Sequence, residues 1–222
     1  TAVALQGLEL AVGAGEIVAL LGANGAGKTT TLNLFLGFTQ PTSGRALVGG
    51  VEVARQPAAT RSRLAYVPEV VALYPHLTGL ENLDYFVRLG GRAPAGRGEL
   101  EQALAAVGLP AEAFGRRART YSKGMRQKVA LAIALACRAE ALLLDEPLSG
   151  LDPAAANDFV ATLRRAASGG LAVLMATHDV FRAKDCAARV GILKRGRLIE
   201  LRATAGMSGA ELERLYLDHM QA

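Results

Sequence analysis

The feature that constrains this chain most is a glycine-rich turn between an apolar run and a helical pattern. The turn, Gly22-Ala23-Asn24-Gly25-Ala26-Gly27-Lys28-Thr29, has the spacing of a phosphate-binding loop. It directly follows the apolar run 17–21 and opens a helix-like run at Thr30. Small residues let backbone N–H groups surround a phosphate, and a helix N-terminus adds positive partial charge. The turn predicts a phosphate site in which Lys28 supplies charge and Thr29 a hydroxyl for Mg²⁺.

Strand-like runs alternate with helical patterns along most of the chain. Each apolar run precedes a helical pattern, and the runs lie at 16–21, 141–145 and 171–176. The helical patterns that follow begin at Lys28, Pro153 and about Val180. This alternation predicts an α/β fold with a mainly parallel sheet and helices packed on it.

A different stretch interrupts the alternation between residues 68 and 124. It carries helical patterns at 80–89 and 99–107 and no convincing strand. Thr78 and Glu81 have the spacing of a capping box for the first of these helices. We interpret the stretch as a helical subdomain inserted in the α/β core.

The chain is interpreted as a single domain, because 222 residues of which 51% are apolar suffice for one compact core. Residues 190–201 have the pattern of a hairpin, and residues 209–220 that of an amphipathic helix. The predicted divisions are a core of 1–68 and 125–201, an insert of 69–124, and a C-terminal helix in 202–222.

Composition narrows the class of protein less than the motifs do. A net charge of +5 suits nucleic acid, acidic lipid or a polyanionic ligand, and it does not decide among them. Cys137 and Cys186 lie far apart without metal-ligand spacing, so we expect reduced packing thiols. Arg138 and Glu140 break the longest apolar region, which falls short of the roughly 18 residues of a membrane span. Any work at a membrane is therefore expected to use another protein.

A carboxylate pair, Asp145-Glu146, ends the apolar run 141–144. The carboxyl ends of parallel strands face the ligand crevice in such a sheet. Beside a phosphate-binding loop, the pair predicts Asp145 in the Mg²⁺ water shell and Glu146 as the general base that polarises the attacking water.

Three further motifs carry a family resemblance. The first precedes Asp145 and opens a helical run, and its sequence is Ser122-Lys123-Gly124-Met125-Arg126-Gln127. It resembles the signature motif of ABC ATPases, usually written Leu-Ser-Gly-Gly-Gln. The D-loop of that family is resembled by the second motif, Ser149-Gly150-Leu151-Asp152. Its switch-histidine region is resembled by the third, Thr177-His178-Asp179. A plain helix N-cap is the alternative interpretation of Ser122, and for Asp152 a capping role and a ligand role can coexist.

The resemblance implies a P-loop NTPase (RecA-like) core with a small N-terminal antiparallel β part. It also implies a Mg²⁺-dependent ATPase that works as a dimer, with each ATP held between one phosphate-binding loop and the other subunit's signature. The implied ATP ligands are Gly22, Ala23, Asn24, Gly25, Ala26, Gly27, Lys28, Thr29, Thr30, Glu69, Ser122, Gly124 and Asp152. Thr29, Asp145 and Glu69 are implied at the metal. Glu146, His178 and Lys28 are implied in catalysis, with His178 holding the γ-phosphate geometry.

The departures from the family pattern point to one group within it. Tyr121-Ser122-Lys123-Gly124-Met125 replaces three of the five signature residues, and Glu69 stands where a glutamine is usual. Together with the last helix, this pattern resembles ATPases of the ABC-2 exporter group. A carboxylate at Glu69 is able to ligate Mg²⁺ but has no N–H to donate. For Lys123, a position near the partner's γ-phosphate and a position in solvent remain equal alternatives.

The resemblance further implies two protein partners. These are a separate membrane permease subunit and a second ATP-binding subunit, most simply a second copy of this chain, at the cytoplasmic face of a bacterial or archaeal plasma membrane. We expect the apolar segment 73–77 to dock on the permease. Arg116, Arg117 and Arg119 are either a solvated basic face or a contact for the permease, lipid or nucleic acid.

The rival class is an ABC ATPase acting on nucleic acid or ribosomes. Tandem ATPase domains, long coiled-coil insertions and zinc modules, which are usual in that class, do not occur in this sequence. We therefore expect no nucleic-acid partner, and we expect export rather than import.

Overall fold

The computed structural model of the protein describes residues 3–94 and 96–221. Its strands in chain order are β1 Ile17–Leu21, β2 Leu47–Val48, β3 Val51–Glu52, β4 Leu64–Val67, β5 Ala141–Asp145, β6 Ala172–Thr177, β7 Arg189–Lys194 and β8 Arg197–Ala203. Its α-helices are α1 Lys28–Leu36, α2 Pro57–Arg61, α3 Gly79–Leu89, α4 Arg97–Ala106, α5 Lys123–Ala136, α6 Pro153–Ser168, α7 Val180–Cys186 and α8 Gly209–Gln221.

A six-stranded sheet with the order β4-β5-β6-β1-β7-β8 forms the centre of the fold. β1 lies between β6 and β7 and is parallel to both, and β8 alone runs antiparallel to its neighbour. All five residues of β1 are buried, as expected for a strand covered on both faces. β2 and β3 form a separate antiparallel pair. The predicted α/β class, the mainly parallel sheet and the small antiparallel part are confirmed.

The predicted order of strands and helices is also confirmed. β1, β5 and β6 lie on the predicted apolar runs, and α1, α6 and α7 follow them. The β7–β8 hairpin occupies the predicted position. One strand was not predicted: β4, four residues long, lies just before the insert and pairs in parallel with β5.

The insert carries the two predicted helices, α3 and α4, which pack with α5. The predicted capping box is present, because Thr78 Oγ1 accepts from the N–H of Glu81 at 3.2 Å and Glu81 Oε2 accepts from the N–H of Thr78 at 2.7 Å. Such a box satisfies two N–H groups that a helix start leaves free. The two hydrogen bonds of this cap fix the point at which the chain passes from the segment 73–77 into α3.

The predicted division at residue 202 is wrong. β8 pairs with β7 as far as Ala203, which lies opposite Arg189, so the start of segment 202–222 belongs to the sheet. The helix α8 begins only at Gly209. Its end is tied to the hairpin, because Lys194 Nζ donates to the carbonyl oxygens of His219 at 2.8 Å and Met220 at 3.4 Å.

Both cysteines are unpaired thiols within the fold. Cys186 is buried and Cys137 is half-buried. Burial raises the pKa of the Cys186 thiol to about 12, which keeps it protonated and unreactive. Throughout the described residues, no helix has the length and apolar character needed to cross a membrane.

The junction of α3 with the segment before α5 leaves no space for a side chain at Gly79. A Cβ there would overlap the hydroxyl oxygen of Tyr121, which donates to the carbonyl oxygen of Ala113 at 2.6 Å. Gly79→Ala is therefore expected to lower the free energy of unfolding by about 1–3 kcal/mol, measured by thermal and denaturant unfolding.

Gly98→Ala is the matched control for this prediction. Gly98 lies in α4, and a Cβ there would meet no atom within 4 Å. Alanine favours a helix over glycine, so this variant is expected to be neutral or slightly more stable than the wild type. Equal stabilities for the two variants would contradict the packing assigned to Gly79.

Candidate functional site

The parallel register brings the predicted catalytic segments to one edge of the sheet. Leu21 at the end of β1 lies opposite Thr177 at the end of β6, and Asp145 at the end of β5 lies opposite Ala176. The phosphate-binding loop, the carboxylate pair and the switch-histidine region thus leave neighbouring strands at the same edge. This is the edge where open parallel sheets bind ligands.

The phosphate-binding loop, residues 22–29, folds round the ammonium group of its own lysine. Lys28 is only 7% exposed, and its Nζ donates to the carbonyl oxygens of Gly22 at 2.5 Å and Ala23 at 3.3 Å. Gly27 caps α1 with φ +110°, a conformation that favours glycine. Ala23, Asn24, Gly25 and Thr29 are exposed, and Thr30 is half-buried. The loop therefore presents an accessible rim around a buried cation.

The chain's last hairpin supports the same loop. The N–H of Gly196, in the turn between β7 and β8, donates to the carbonyl oxygen of Ala26 at 2.8 Å. A Cβ at Gly22 would lie 2.6 Å from the carbonyl oxygen of Leu193 and 2.8 Å from the Cβ of Ala26. The loop is packed against β7 too closely for any other residue at that position.

Glu146 is the central side chain of the site. Thr177 Oγ1 donates to Glu146 Oε2 at 2.9 Å, and His178 Nδ1 lies 2.8 Å from Oε1. Lys28 Nζ is 4.0 Å from the same Oε1. The Glu146 side chain is 13% exposed and that of His178 62%. One oxygen of the carboxylate is thus held inside the protein, and the other faces the open side.

The backbone of Glu146 is strained. Its φ is +44°, in the left-handed region that a residue with a side chain adopts at a cost of about 1–3 kcal/mol. The N–H of Glu146 donates to the carbonyl oxygen of Ala176 at 2.9 Å, and its own carbonyl accepts from the N–H of Ser149 at 3.2 Å. These bonds to β6 and to the following loop hold the carboxylate in its position.

Asp145 lies beside Glu146 in a half-buried setting. Burial raises the pKa of the Asp145 carboxyl, and the negative charges of Glu146 and Glu69 add to this, while Lys28 acts in the opposite direction. The Tyr66 hydroxyl donates a hydrogen bond to Asp145, which also lowers that pKa. The sequence did not indicate a role for Tyr66, because Tyr66 lies in β4, the strand that was not predicted.

Glu69 is exposed and bonded to the loop that follows Glu146. Ser149 Oγ donates to Glu69 Oε1 at 3.4 Å. The glutamate that replaces the usual glutamine therefore links the start of the insert to the D-loop-like segment 149–152.

The oxygen atoms near the loop fit a magnesium ion that also binds phosphate. Thr29, Asp145 and Glu69 offer hard oxygen donors, the type that Mg²⁺ prefers. Among the described residues, no cluster of three His, Cys, Asp or Glu side chains is arranged to hold a metal. Mg²⁺ typically keeps several waters and uses one or two carboxylates plus substrate phosphates, so this sparse set suits it.

The signature-like segment starts α5 and is packed on the D-loop-like segment of the same chain. Ser122 Oγ accepts from the N–H of Met125 at 3.2 Å, which makes it the N-cap of α5. A Cβ at Gly124 would lie 3.4 Å from the Cβ of Ala155. A Cβ at Gly150 would lie 3.7 Å from Lys123 Nζ, so the lysine extends towards its own chain's loop.

Asp152 is the N-cap of α6, because its Oδ1 accepts from the N–H of Ala155 at 2.9 Å. The capping alternatives for Ser122 and Asp152 are therefore both realised. Their predicted contacts with nucleotide concern a second subunit and stay predictions.

Two surfaces singled out from the sequence lie on the insert. Tyr74, in the segment 73–77, is 46% exposed, and its ring contacts Tyr85 edge-on at 4.8 Å between centroids. An open groove of about 490 Å³ lies beside it, lined by Leu77, Glu81, Asp84, Tyr85, Arg88 and Leu89. Arg116, Arg117 and Arg119 are exposed. Docking at either surface stays a prediction.

Known proteins resemble this chain in sequence and in structure. The profile of the ABC transporter family matches residues 5–149. The daunorubicin resistance ATP-binding protein DrrA2 of Streptomyces coeruleorubidus is 38% identical over 88% of this chain and 61% of its own length. The putative 2-aminoethylphosphonate import ATP-binding protein PhnT of Salmonella choleraesuis is 40% identical over 89% of this chain and 54% of its own length. The chain thus spans less than two thirds of these relatives.

A solved structure extends the likeness to the three-dimensional fold. The dimeric ATP-binding cassette MJ0796, in a post-hydrolysis state bound to ADP and Pi, superposes with a TM-score of 0.79 at 26% identity. The likeness covers 92% of each chain. It includes the helical insert as well as the sheet that carries the loop.

The close packing at Gly22 generates a test of the loop. Gly22→Ala is expected to push the loop away from β7, because its Cβ would meet the Leu193 carbonyl. The melting temperature should fall, and binding of a fluorescent ATP analogue should weaken by about tenfold or more, equal to about 1.4 kcal/mol.

Gly25→Ala separates packing from backbone strain. Gly25 has φ +79°, but a Cβ there would meet nothing within 4 Å. This variant should carry only the left-handed cost of about 1–2 kcal/mol, without displacement of the loop from β7. If the two variants melt and bind alike, the contact with Leu193 has no role of its own.

Proposed function

This chain belongs to the ABC transporter family, and we propose that it binds and hydrolyses ATP to drive transport through a separate membrane subunit. The observation that supports this most is the setting of Glu146. Its carboxylate lies at the ligand edge of the sheet, 4.0 Å from the lysine of a phosphate-binding loop, with a threonine and a histidine on its two oxygens. Such a carboxylate is suited to orient a water next to a terminal phosphate.

In the proposed reaction, water attacks the γ-phosphorus of ATP and the bond to the β–γ bridging oxygen breaks. The products are ADP and phosphate, and Glu146 accepts the proton of the attacking water. Lys28 turns from the carbonyls of Gly22 and Ala23 to the β- and γ-phosphates, where its charge stabilises the transition state. His178 holds the γ-phosphate from the exposed side and keeps the geometry of attack.

The remaining ligands surround the phosphates and the metal. Backbone N–H groups of residues 22–30 cradle the β- and γ-phosphates, with Thr29, Asp145 and Glu69 around Mg²⁺ directly or through water. The metal neutralises charge on the phosphate oxygens when bound. Tyr66 orients the Asp145 carboxylate through its hydrogen bond.

The complete site needs a second ATP-binding subunit. Ser122 and Gly124 of a second copy would meet the γ-phosphate at the start of α5, where a helix N-terminus favours an anion. Asp152 of that second copy lies at the edge of the same contact between the two subunits. Both sites are complete in a dimer of identical chains, and the dimeric cassette bound to ADP and Pi supports this arrangement.

The membrane partner is proposed to dock on the segment 73–77 and the groove beside α3. Exposed aromatic and aliphatic side chains there are suited to a partner helix. We place the protein at the cytoplasmic face of a bacterial or archaeal plasma membrane. The signature pattern and the resistance protein DrrA2 favour export. Because PhnT is named as an import protein, the direction of transport has to be measured.

The substitution Glu146→Gln tests the catalytic role. The amide keeps the shape of the side chain but is a poor proton acceptor, so ATP binding should persist while phosphate release falls about 100-fold or more. The stalled protein should accumulate as an ATP-bound dimer, measured by light scattering with Mg²⁺ and ATP.

Glu140→Gln is the control, because it makes the same chemical change just before β5 on a side chain that is 55% exposed and pairs with Arg63. It should leave turnover unchanged. Full turnover in Glu146→Gln would remove Glu146 as the base.

The cellular partner is tested by isolating the tagged protein from membranes of its host, followed by mass spectrometry. We expect a polytopic membrane protein, lost when the exposed Tyr74 is replaced in Tyr74→Asp. Recovery of ribosomal proteins or salt-sensitive retention of nucleic acid, without a membrane protein, would place the same ATPase in the rival class.

A further inference from the structure

The carboxylate of Glu146 has three side-chain partners among the residues that the structure describes, and the proposed reaction assigns two of them to nucleotide. Lys28 Nζ lies 4.0 Å from Oε1 and is assigned to the β- and γ-phosphates. His178 Nδ1 lies 2.8 Å from the same oxygen and is assigned to the γ-phosphate. The third partner is Thr177, whose Oγ1 donates to Oε2 at 2.9 Å. Thr177 is therefore the one partner that can hold the carboxylate without also serving the phosphates.

The neighbours of the Thr177 hydroxyl fix the direction of its proton. Its Oγ1 accepts from the backbone N–H of Asp179 at 3.1 Å, so one side of the oxygen is already occupied. An ionised carboxylate accepts hydrogen bonds and has no proton to donate, so the hydroxyl proton lies towards Oε2 of Glu146. Hydrogen bonds to an ionised acceptor are stronger than those between neutral groups. The threonine is thus a directed donor to the carboxylate.

Thr177 is itself held from two sides. It is the last residue of β6, lies opposite Leu21 of β1 and is 3% exposed. Its β-branched side chain has little rotamer freedom. Asp179, whose N–H bonds to the hydroxyl, is the N-cap of α7, because its Oδ1 accepts from the N–H of Arg182 at 2.9 Å. The donor to Glu146 therefore lies at a rigid junction between the sheet and α7.

The other bonds of Glu146 hold its backbone and not its carboxylate. Its N–H donates to the carbonyl oxygen of Ala176, and its own carbonyl accepts from the N–H of Ser149. Several rotatable bonds separate this backbone from the carboxylate. A general base must lie within hydrogen-bond reach of the proton that it accepts, and a displacement of about 1 Å can cost about 100-fold in rate. The position of the base therefore depends on a bond to the side chain.

We propose that Thr177 is a positioning residue for ATP hydrolysis. Its hydroxyl holds Oε2 of Glu146, so that Oε1 is presented to the attacking water while the lysine and the histidine contact the phosphates. The inference rests on the proposed function and adds to it the group that keeps the base in place. Thr177 acts through Glu146 alone, so its loss should slow the chemical step and leave the affinity for ATP unchanged.

The test uses Thr177→Val, which keeps the branched shape of the side chain and removes the hydroxyl. We expect kcat for ATP hydrolysis to fall by about tenfold to 100-fold, with KM for ATP within about twofold of the wild-type value. Thr177→Ser restores the hydroxyl and should recover kcat to within about threefold of the wild type, the remainder reflecting the freer rotation of serine. A merely structural role would change stability and ATP binding, and serine would not separate kcat from KM.

A second measurement shows whether Thr177 acts through Glu146. In the Glu146→Gln background, Thr177→Val should change the residual turnover by less than about twofold, because the base that the threonine positions is already lost. A further loss as large as that of the single variant would mean that the two residues act independently, and it would overturn the inference.

Thr162→Val is the matched control. Thr162 lies in α6 and is 2% exposed, and its Oγ1 donates to the carbonyl oxygen of Asp158 at 2.9 Å and accepts from Arg165 at 3.0 Å. The variant removes a buried threonine hydroxyl with the same pattern of bonds but no contact with Glu146. It should lower the melting temperature and leave both kcat and KM unchanged.

Two results with the single variants would overturn the inference. One is a wild-type kcat in Thr177→Val, and the other is a loss of kcat that Thr177→Ser does not recover. Thr177→Ala repeats the test with a smaller side chain should the valine variant fold poorly. In both results the wild type still hydrolyses ATP with Glu146 as the base, so the proposed function stands. A wild type without ATP hydrolysis would overturn the proposed function, and the inference with it.

Discussion

The parallel pairing of β1 with β6 and of β6 with β5 determines where the phosphate-binding loop, the carboxylate pair and the switch-histidine region lie. Residues opposite one another in parallel strands end at the same edge, so Leu21, Thr177 and Asp145 deliver their following loops to one place. The cost of the strained backbone at Glu146 and of burying the charge of Lys28 is offset by the buried apolar strands beneath them. Hydrophobic burial in the sheet therefore holds the polar geometry above it.

The two oxygens of Glu146 have different surroundings, and this asymmetry gives the site its chemistry. Oε2 is fixed by Thr177, a residue that is 3% exposed and whose hydroxyl also accepts from the N–H of Asp179. Oε1 faces the exposed His178 ring and the lysine of the phosphate-binding loop. One oxygen anchors the carboxylate, while the other faces the histidine, the lysine and the open side of the site.

The sequence predicted the features that depend on local pattern, and it missed those that depend on contacts between distant segments. The glycine-rich turn between β1 and α1, the buried strands and the capping box follow from short spacings, and their positions and the family resemblance are confirmed. β4 was missed because four residues at the edge of a sheet carry little pattern, and Tyr66 was missed with it. The direction of Lys123 depends on how α5 packs on α6, which no spacing along one segment encodes. The extent of β8 depends on its partner strand, so residue 202 was wrongly assigned to the last helix segment.

The place of β1 between β6 and β7 has a consequence for how the protein is made. A ribosome releases the phosphate-binding loop before both strands that hydrogen-bond to β1, which come from residues 172–194, and before the Gly196 N–H that supports Ala26. Until that part of the chain emerges, β1 is an unpaired apolar strand, and the loop after it lacks the strand and hairpin that support it. The ligand edge of the sheet therefore assembles only after residues 172–196 have been made, although the loop that follows β1 lies at residues 22–29.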